Sequence, residues 1–155
     1  MVTGGCEVVH GTCVIVGEAG VLLRGPSGSG KSTLARRIVE EAQRRGLFAR
    51  LVGDDRVLIA VRAGRLLARP HPVLAGALEV RGTGIVGAEH AGEAVVRLVV
   101  DCGGVPSRFP EHDQRFADVL GVRLPLVSAD PAQADVVLLR LSATSSPLET
   151  EPPST

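Results

Sequence analysis

Apolar residues along the chain come mostly in short runs bounded by glycine, and only one early stretch keeps a helical spacing for long. GTCVIVGEAGVLLRG, residues 11–25, carries two apolar runs around Gly17-Glu18-Ala19-Gly20 and predicts a hairpin with Val16 opposite Val21. That register puts His10 opposite Ser27. From Lys31 to about Arg45 the spacing turns helical: Leu34, Ala35, Ile38, Val39 and Ala42 share a face, while Arg36, Arg37, Arg44 and Arg45 face water. Glu40 and Glu41 stand four residues before Arg44 and Arg45, a supporting arrangement, and Gly46 ends the helix.

Strands follow. LFARLVGDD is a strand ending in two carboxylates, and VLIAVRAGRLLAR reads as a hairpin turning at Ala63-Gly64. ALEVRGTGIV is an extended segment broken by a second glycine loop, and EAVVRLVVDC is a buried strand. EHDQRFADVLG reads as a short helix capped by Gly121, and ADVVLLRL as a last strand. These elements predict an α/β domain over residues 1–141 with a mixed sheet. Residues 142–155, rich in Ser, Thr and Pro, predict a disordered tail with little to bury.

Composition narrows the function. Hydrophobic residues make up 45% of the 155, enough for one ordinary core, but only 2% are aromatic, with no Tyr and no Trp. Few rings are available to stack on bases, which argues against single-strand nucleic-acid binding. Lys+Arg and Asp+Glu both number 17, so no global field draws the chain to nucleic acid or membrane. Basic side chains gather in the first half and acidic ones in the second. Three cysteines without a CxxC suggest neither disulfides nor zinc. No apolar run approaches the roughly 20 residues of a membrane span, and no signal-peptide pattern opens the chain, so a cytoplasmic location is expected.

The strongest chemical signal is Gly25-Pro26-Ser27-Gly28-Ser29-Gly30-Lys31-Ser32, a full match to G-x-x-x-x-G-K-[ST], with Thr33 following it. The motif needs glycines so that successive N–H groups can turn inward around phosphate oxygens. The helix start adds unpaired N–H groups and a positive dipole end. Lys31 supplies a mobile cation and Ser32 a hydroxyl for Mg²⁺. The motif follows a predicted strand and opens an amphipathic helix, the context that supports it. It speaks for a nucleoside triphosphate and says little about the reaction. No NKxD motif points to guanine.

Two strand ends compete to supply the acid. VVRLVVD places Asp101 where a Walker-B carboxylate would stand, and ARLVGDD places Asp54 and Asp55 after another strand. Consecutive strand residues face opposite ways, so only one of that pair aims at the phosphates, and the apolar Leu51 and Val52 do not say which. The alternative is an Asp-Asp turn that merely ends the strand. Glu79 and Arg81 in EVRGTG are a weak signal alone. Arg62, Arg65 and Arg69 in VRAGRLLARPHP could form a lid over a metabolite pocket or a docking face for a protein.

In order, His-Gly, hairpin, GPSGSGKS, helix, LVGDDRV and EVRGTGIV closely resemble the catalytic domain of bacterial HPr kinase/phosphorylase, from about His10 to Val127. The resemblance implies a P-loop core related to phosphoenolpyruvate carboxykinase, assembled as a hexamer. It implies ATP and Mg²⁺ as cofactors and a serine of an HPr-like phosphocarrier as acceptor. Lys31 would then hold phosphates, with Ser32, Asp54 and Glu79 on the metal. Asp55 would take the serine proton, with His10 and Arg108 also in the active site, Arg115 being a rival to Arg108. Residues 78–87 would form a catalytic loop. The nine residues before His10 match the short, single-domain form. Where the family's segment resembles PVRPGRN, this chain has PLVSADP, so the likeness carries the kinase activity and leaves phosphorolytic reversal open.

Overall fold

The computed structural model describes residues 6–71, 92–103 and 115–144. Nine strands and two helices lie in these segments: β1 (Glu7–Val9), β2 (Thr12–Val16), β3 (Ala19–Arg24), α1 (Lys31–Arg44), β4 (Ala49–Gly53), β5 (Val57–Arg62), β6 (Arg65–Pro70), β7 (Ala94–Cys102), β8 (Arg115–Val119), β9 (Val122–Ala129) and α2 (Ala134–Thr144). The sheet runs β1-β5-β6-β7-β3-β2-β4, with β9 also on β7 and β8 on β9. The neighbours β3 and β7, and β7 and β9, are parallel, and the other pairs antiparallel. The expected α/β domain with a mixed sheet is the fold observed.

One face of the sheet packs on both helices. Val14, Val16, Val21, Leu23, Leu98 and Val100 meet Leu34, Ala35, Ile38 and Ala42 of α1 and Val137, Leu138 and Leu141 of α2. The opposite face closes a second core from Leu22, Val52, Val57, Ile59, Leu66, Val96, Val99 and Leu124. Strand alternation sends Leu22 one way and Leu23 the other. In β7 the alternation breaks: Gly20 pairs with Val96 but Val21 with Leu98, so Arg97 is an extra, bulged residue. The bulge moves Leu98 and Val100 to the helix face, while Ala94 and Val96 stay on the other.

Three expectations fail locally. The first hairpin turns on two residues, Gly17 and Glu18, so Val16 pairs with Ala19 and the ladder ends at Thr12 and Leu23. His10 therefore stands in the bend between β1 and β2 rather than opposite Ser27. The segment expected as a helix up to Gly121 is instead strand β8 from Arg115, joined to β9 through Leu120 (φ 52°) and Gly121 (φ 86°). Two consecutive positive φ values make the tight hairpin turn that follows strand twist. The expected last strand is α2, where Ala134, Val137, Leu138 and Leu141 are buried at helical spacing. The Asp130 N–H donates to Gln133 Oε1 and the Asp130 carboxylate accepts from the Ala132 N–H, capping its start. The helix reaches Thr144, into the first residues of the expected tail.

Candidate phosphate site

The C-terminal ends of the parallel strands β3, β7 and β9 lie together, the usual ligand edge of such a sheet. β3 leads into residues 25–30, and Gly30 at φ 93° opens α1 with no side-chain cap. Gly30 has no side chain to accept from the first N–H groups of α1, so its cap position leaves them open to a ligand. Gly25, Gly28 and Gly30 all have positive φ. A Cβ on Gly25 would lie 2.5 Å from the Cys102 carbonyl oxygen, and one on Gly30 2.4 Å from Pro131 Cγ. The loop is therefore wedged between the ends of β7 and β9, and glycine is required there by space as well as by dihedral.

Lys31 Nζ donates to the carbonyl oxygens of Gly25 (2.8 Å) and Pro26 (3.3 Å), curling back over the loop. The Ser29 N–H donates to the Pro26 carbonyl at 3.0 Å, while Ser29 Oγ is buried with no hydrogen-bond partner among the described residues. Beneath the loop, burial pushes the Cys102 thiol up to about 11, partly opposed by the nearby Lys31 charge. That thiol is a neutral packing group.

Ser32 Oγ donates to Asp54 Oδ1 at 2.8 Å, and the buried Thr12 Oγ1 donates to the same oxygen at 2.9 Å. Two hydroxyls, one on α1 and one on β2, converge on one carboxylate. The next residue, Asp55, is exposed and adopts φ 72°, a left-handed conformation that aspartate tolerates better than most side chains. Its carbonyl accepts from the Gly11 N–H at 3.1 Å. Gly11 in turn has no room for a side chain, since a Cβ would lie 2.8 Å from the Leu23 carbonyl. The His10-Gly11-Thr12 bend thus holds Gly53-Asp54-Asp55 at two points. A bulge in β4, where Cys13 pairs with Gly53 but Val14 with Leu51, resets the alternation just before the acids.

Asp101 goes elsewhere. It pairs in register with Arg24, and the Arg24 guanidinium Nε donates to its carboxylate at 3.1 Å. Leu22 and Val99, two residues earlier, belong to the core away from the helices, so this pair lies on that face. Arg115 donates to Ser128 Oγ at 3.3 Å from β8. Glu79, Arg108 and residues 78–87 lie outside the described residues. Thr12 was not singled out in the sequence, and a buried threonine in an apolar strand carries no signal until its partner is known. Pro131 was missed likewise, although Asp130-Pro131 is a legible helix start.

Residues 5–98 match the family model of the HPr Serine kinase C-terminal domain. The chain belongs to this family. HPr kinase/phosphorylase of Chlorobium phaeobacteroides is 30% identical over 148 residues, covering 86% of this chain and 42% of the relative. That of Mycoplasma mycoides is 34% identical over 76 residues, 49% of this chain and 22% of the relative. The chain thus spans less than half the length of these curated relatives. The solved Hpr(Ser) kinase/phosphatase from Coxiella burnetii superposes with a TM-score of 0.68 at 17% identity, over 93% of this chain and 95% of that one. At that coverage the likeness in fold extends beyond residues 5–98.

Oxygen donors suit a small hard cation. Ser32 and Asp54 offer a hydroxyl and a carboxylate oxygen at one point, and among the described residues no three His, Cys, Asp or Glu side chains gather to hold a softer metal. No helix among the described residues is long and apolar enough to cross a membrane.

Proposed function

We propose that the chain is an ATP-dependent protein-serine kinase acting on an HPr-like phosphocarrier, with Mg²⁺ held by Ser32 and Asp54. The observation that carries this reading is the convergence of the Ser32 and Thr12 hydroxyls on Asp54 while Gly11 pins Asp55 one residue further on. On this proposal the two carboxylates take two roles. Asp54 stands with the helix hydroxyl on the metal side. Asp55 is exposed, beside the His10-Gly11 bend, where an acceptor can reach it. The names of the family relatives supply the acceptor.

The loop N–H groups and Lys31 hold the β- and γ-phosphates, and Mg²⁺ when bound neutralises their oxygens. The acceptor serine oxygen forms a bond to the γ-phosphorus as the bond to the bridging oxygen of ADP breaks. Asp55 takes the serine proton. His10, beside the Gly11 that holds Asp55, is proposed to stabilise charge near it. Glu79 and Arg108 are proposed to complete the metal and phosphoryl contacts, by family resemblance. An oligomer, a hexamer in the family pattern, and a cytoplasmic location belong to the same proposal. A lid formed by Arg62, Arg65 and Arg69 is not favoured: these residues lie on β5 and β6, which pair with each other along their whole length.

Incubation of the purified chain with labelled ATP, Mg²⁺ and HPr-like proteins, followed by mass spectrometry, tests the reading. Phosphate on one serine of the carrier, lost in Asp55→Asn, is the expected result. Label only in small metabolites overturns the acceptor. Inorganic phosphate added afterwards tests for reversal.

A further inference from the structure

We propose that the fork where β6 and β9 part from β7 is a second anion site, built for a small organic polyanion bearing phosphate or carboxylate groups. It stands independently of the kinase reading. Ala94 and Val95 of β7 pair with β6, and Val99–Cys102 pair with β9 on the same edge, so Val96–Leu98 fall between the two ladders. A cleft of about 480 Å³ opens there, with Leu66, Val96, Leu124 and Pro125 in its apolar lining. Arg65, Arg97 and Arg123 line it from three different strands.

The charges are an energetic anomaly. Arg62 and Arg65 are direct cross-strand partners, and like charges so placed destabilise a sheet. Continuing the β6–β7 ladder by two positions brings Arg65 level with Arg97. Three adjacent strands thus carry arginine in one row. Among the described residues Arg62, Arg65, Arg97 and Arg123 form no ion pair, although Asp118 is the ladder partner of Arg123. Arg24, Arg44 and Arg45, by contrast, each meet a carboxylate.

Two devices aim these groups. Arg97 is the bulged residue of β7, and bulges commonly re-aim a side chain. The Arg123 guanidinium lies over the Phe116 ring, 4.3 Å from its centroid, which holds its plane and leaves its N–H edge available. Guanidinium forks match phosphate and carboxylate oxygens in pairs, and the apolar lining suits an organic body. At about 3.3 Å per residue, Arg97 lies about 16 Å along β7 from Cys102 beneath the phosphate loop. One occupant cannot fill both places.

Calorimetric titration of the full chain with pyrophosphate and with citrate, in saturating Mg²⁺ and a non-hydrolysable ATP analogue to fill the loop, tests this. At least one probe should bind with a Kd below about 1 mM. The Arg65→Gln/Arg97→Gln variant should weaken it about tenfold or more, and Arg123→Gln should weaken it separately. Arg36→Gln/Arg37→Gln, on the exposed face of α1, should leave it unchanged. Without probe, the thermal midpoint of Arg65→Gln/Arg97→Gln should stay level or rise, because repulsion is removed. Citrate binding alone would identify carboxylates as the ligand, pyrophosphate alone phosphates. Binding of neither probe below about 1 mM, or equal binding by the arginine variants, overturns the proposal.

Discussion

Two strand ends lie on either side of β3, which leads into the glycine-rich loop, and each offers a carboxylate. Asp101 closes β7, the parallel neighbour of β3, while Asp54 and Asp55 follow β4, which reaches β3 only through β2. By topology alone Asp101 has the better claim to the metal. Its charge is instead engaged by Arg24, on the face away from the helices. Asp54 receives the hydroxyls of Ser32 and Thr12, and Asp55 is held by Gly11. Position in a sheet brings an acid near the glycine-rich loop, but its hydrogen-bond partners decide what it is able to do there.

The largest effect should separate the two ends outright. Asp55→Asn is expected to lower phosphoryl transfer by about 10²–10⁴-fold with nucleotide still bound, whereas Asp101→Asn should keep turnover within about threefold. Steady-state rates and nucleotide titrations decide it, and the reverse ranking breaks the comparison. Next comes the wedge on the loop. Gly30→Ala forces a Cβ to 2.4 Å from Pro131 Cγ at φ 93°, and should cost about 2–4 kcal/mol in chemical denaturation. Adding Pro131→Ala should recover the steric part only.

Thr12→Val leaves Asp54 with one donor fewer and should cost about 1–3 kcal/mol, with a higher Mg²⁺ requirement in the kinase assay. On the other side, the Arg24–Asp101 pair is more than a third exposed at Arg24. Breaking it should change stability by less than about 1 kcal/mol, and less still at high salt. A last effect vanishes at neutral pH. Burial raises the Cys13 thiol from about 9 to about 12 and the Cys102 thiol to about 11. Above pH 9 the unfolded chain releases these protons before the folded one does, so stability should fall as pH rises from there towards 12. Urea midpoints across pH 8–11 should show this slope, shallower in Cys13→Ala.

Much of the site was legible. The glycine spacing before Lys31 has few uses besides phosphate, and α1 follows from its apolar face. The VLIAVRAGRLLAR hairpin was legible from Ala63-Gly64, both at positive φ in the structure. Its counterpart, turning on Leu120-Gly121, was not, because leucine is a poor advertisement for a left-handed turn and FADVL can be read with helical spacing. α2 was misread for the converse reason. Eight mostly apolar residues fit a buried strand as well as a buried helix, and the deciding Asp130-Pro131-Ala132-Gln133 cap lies before them.

Sequence by itself determined the loop, the helix that opens from it, the family and the two acids at 54 and 55, because these depend on local backbone requirements written into consecutive residues. Tertiary structure alone decided which acid meets which hydroxyl, since bulges at Val52 and Arg97 shift the alternation by one residue and no composition announces them. It alone, too, set Thr12 beneath Asp54, Arg24 beside Asp101 and Pro131 against Gly30. A hydrogen bond between residues 12 and 54 exists only once both strands have found their register, and register is a property of the folded sheet.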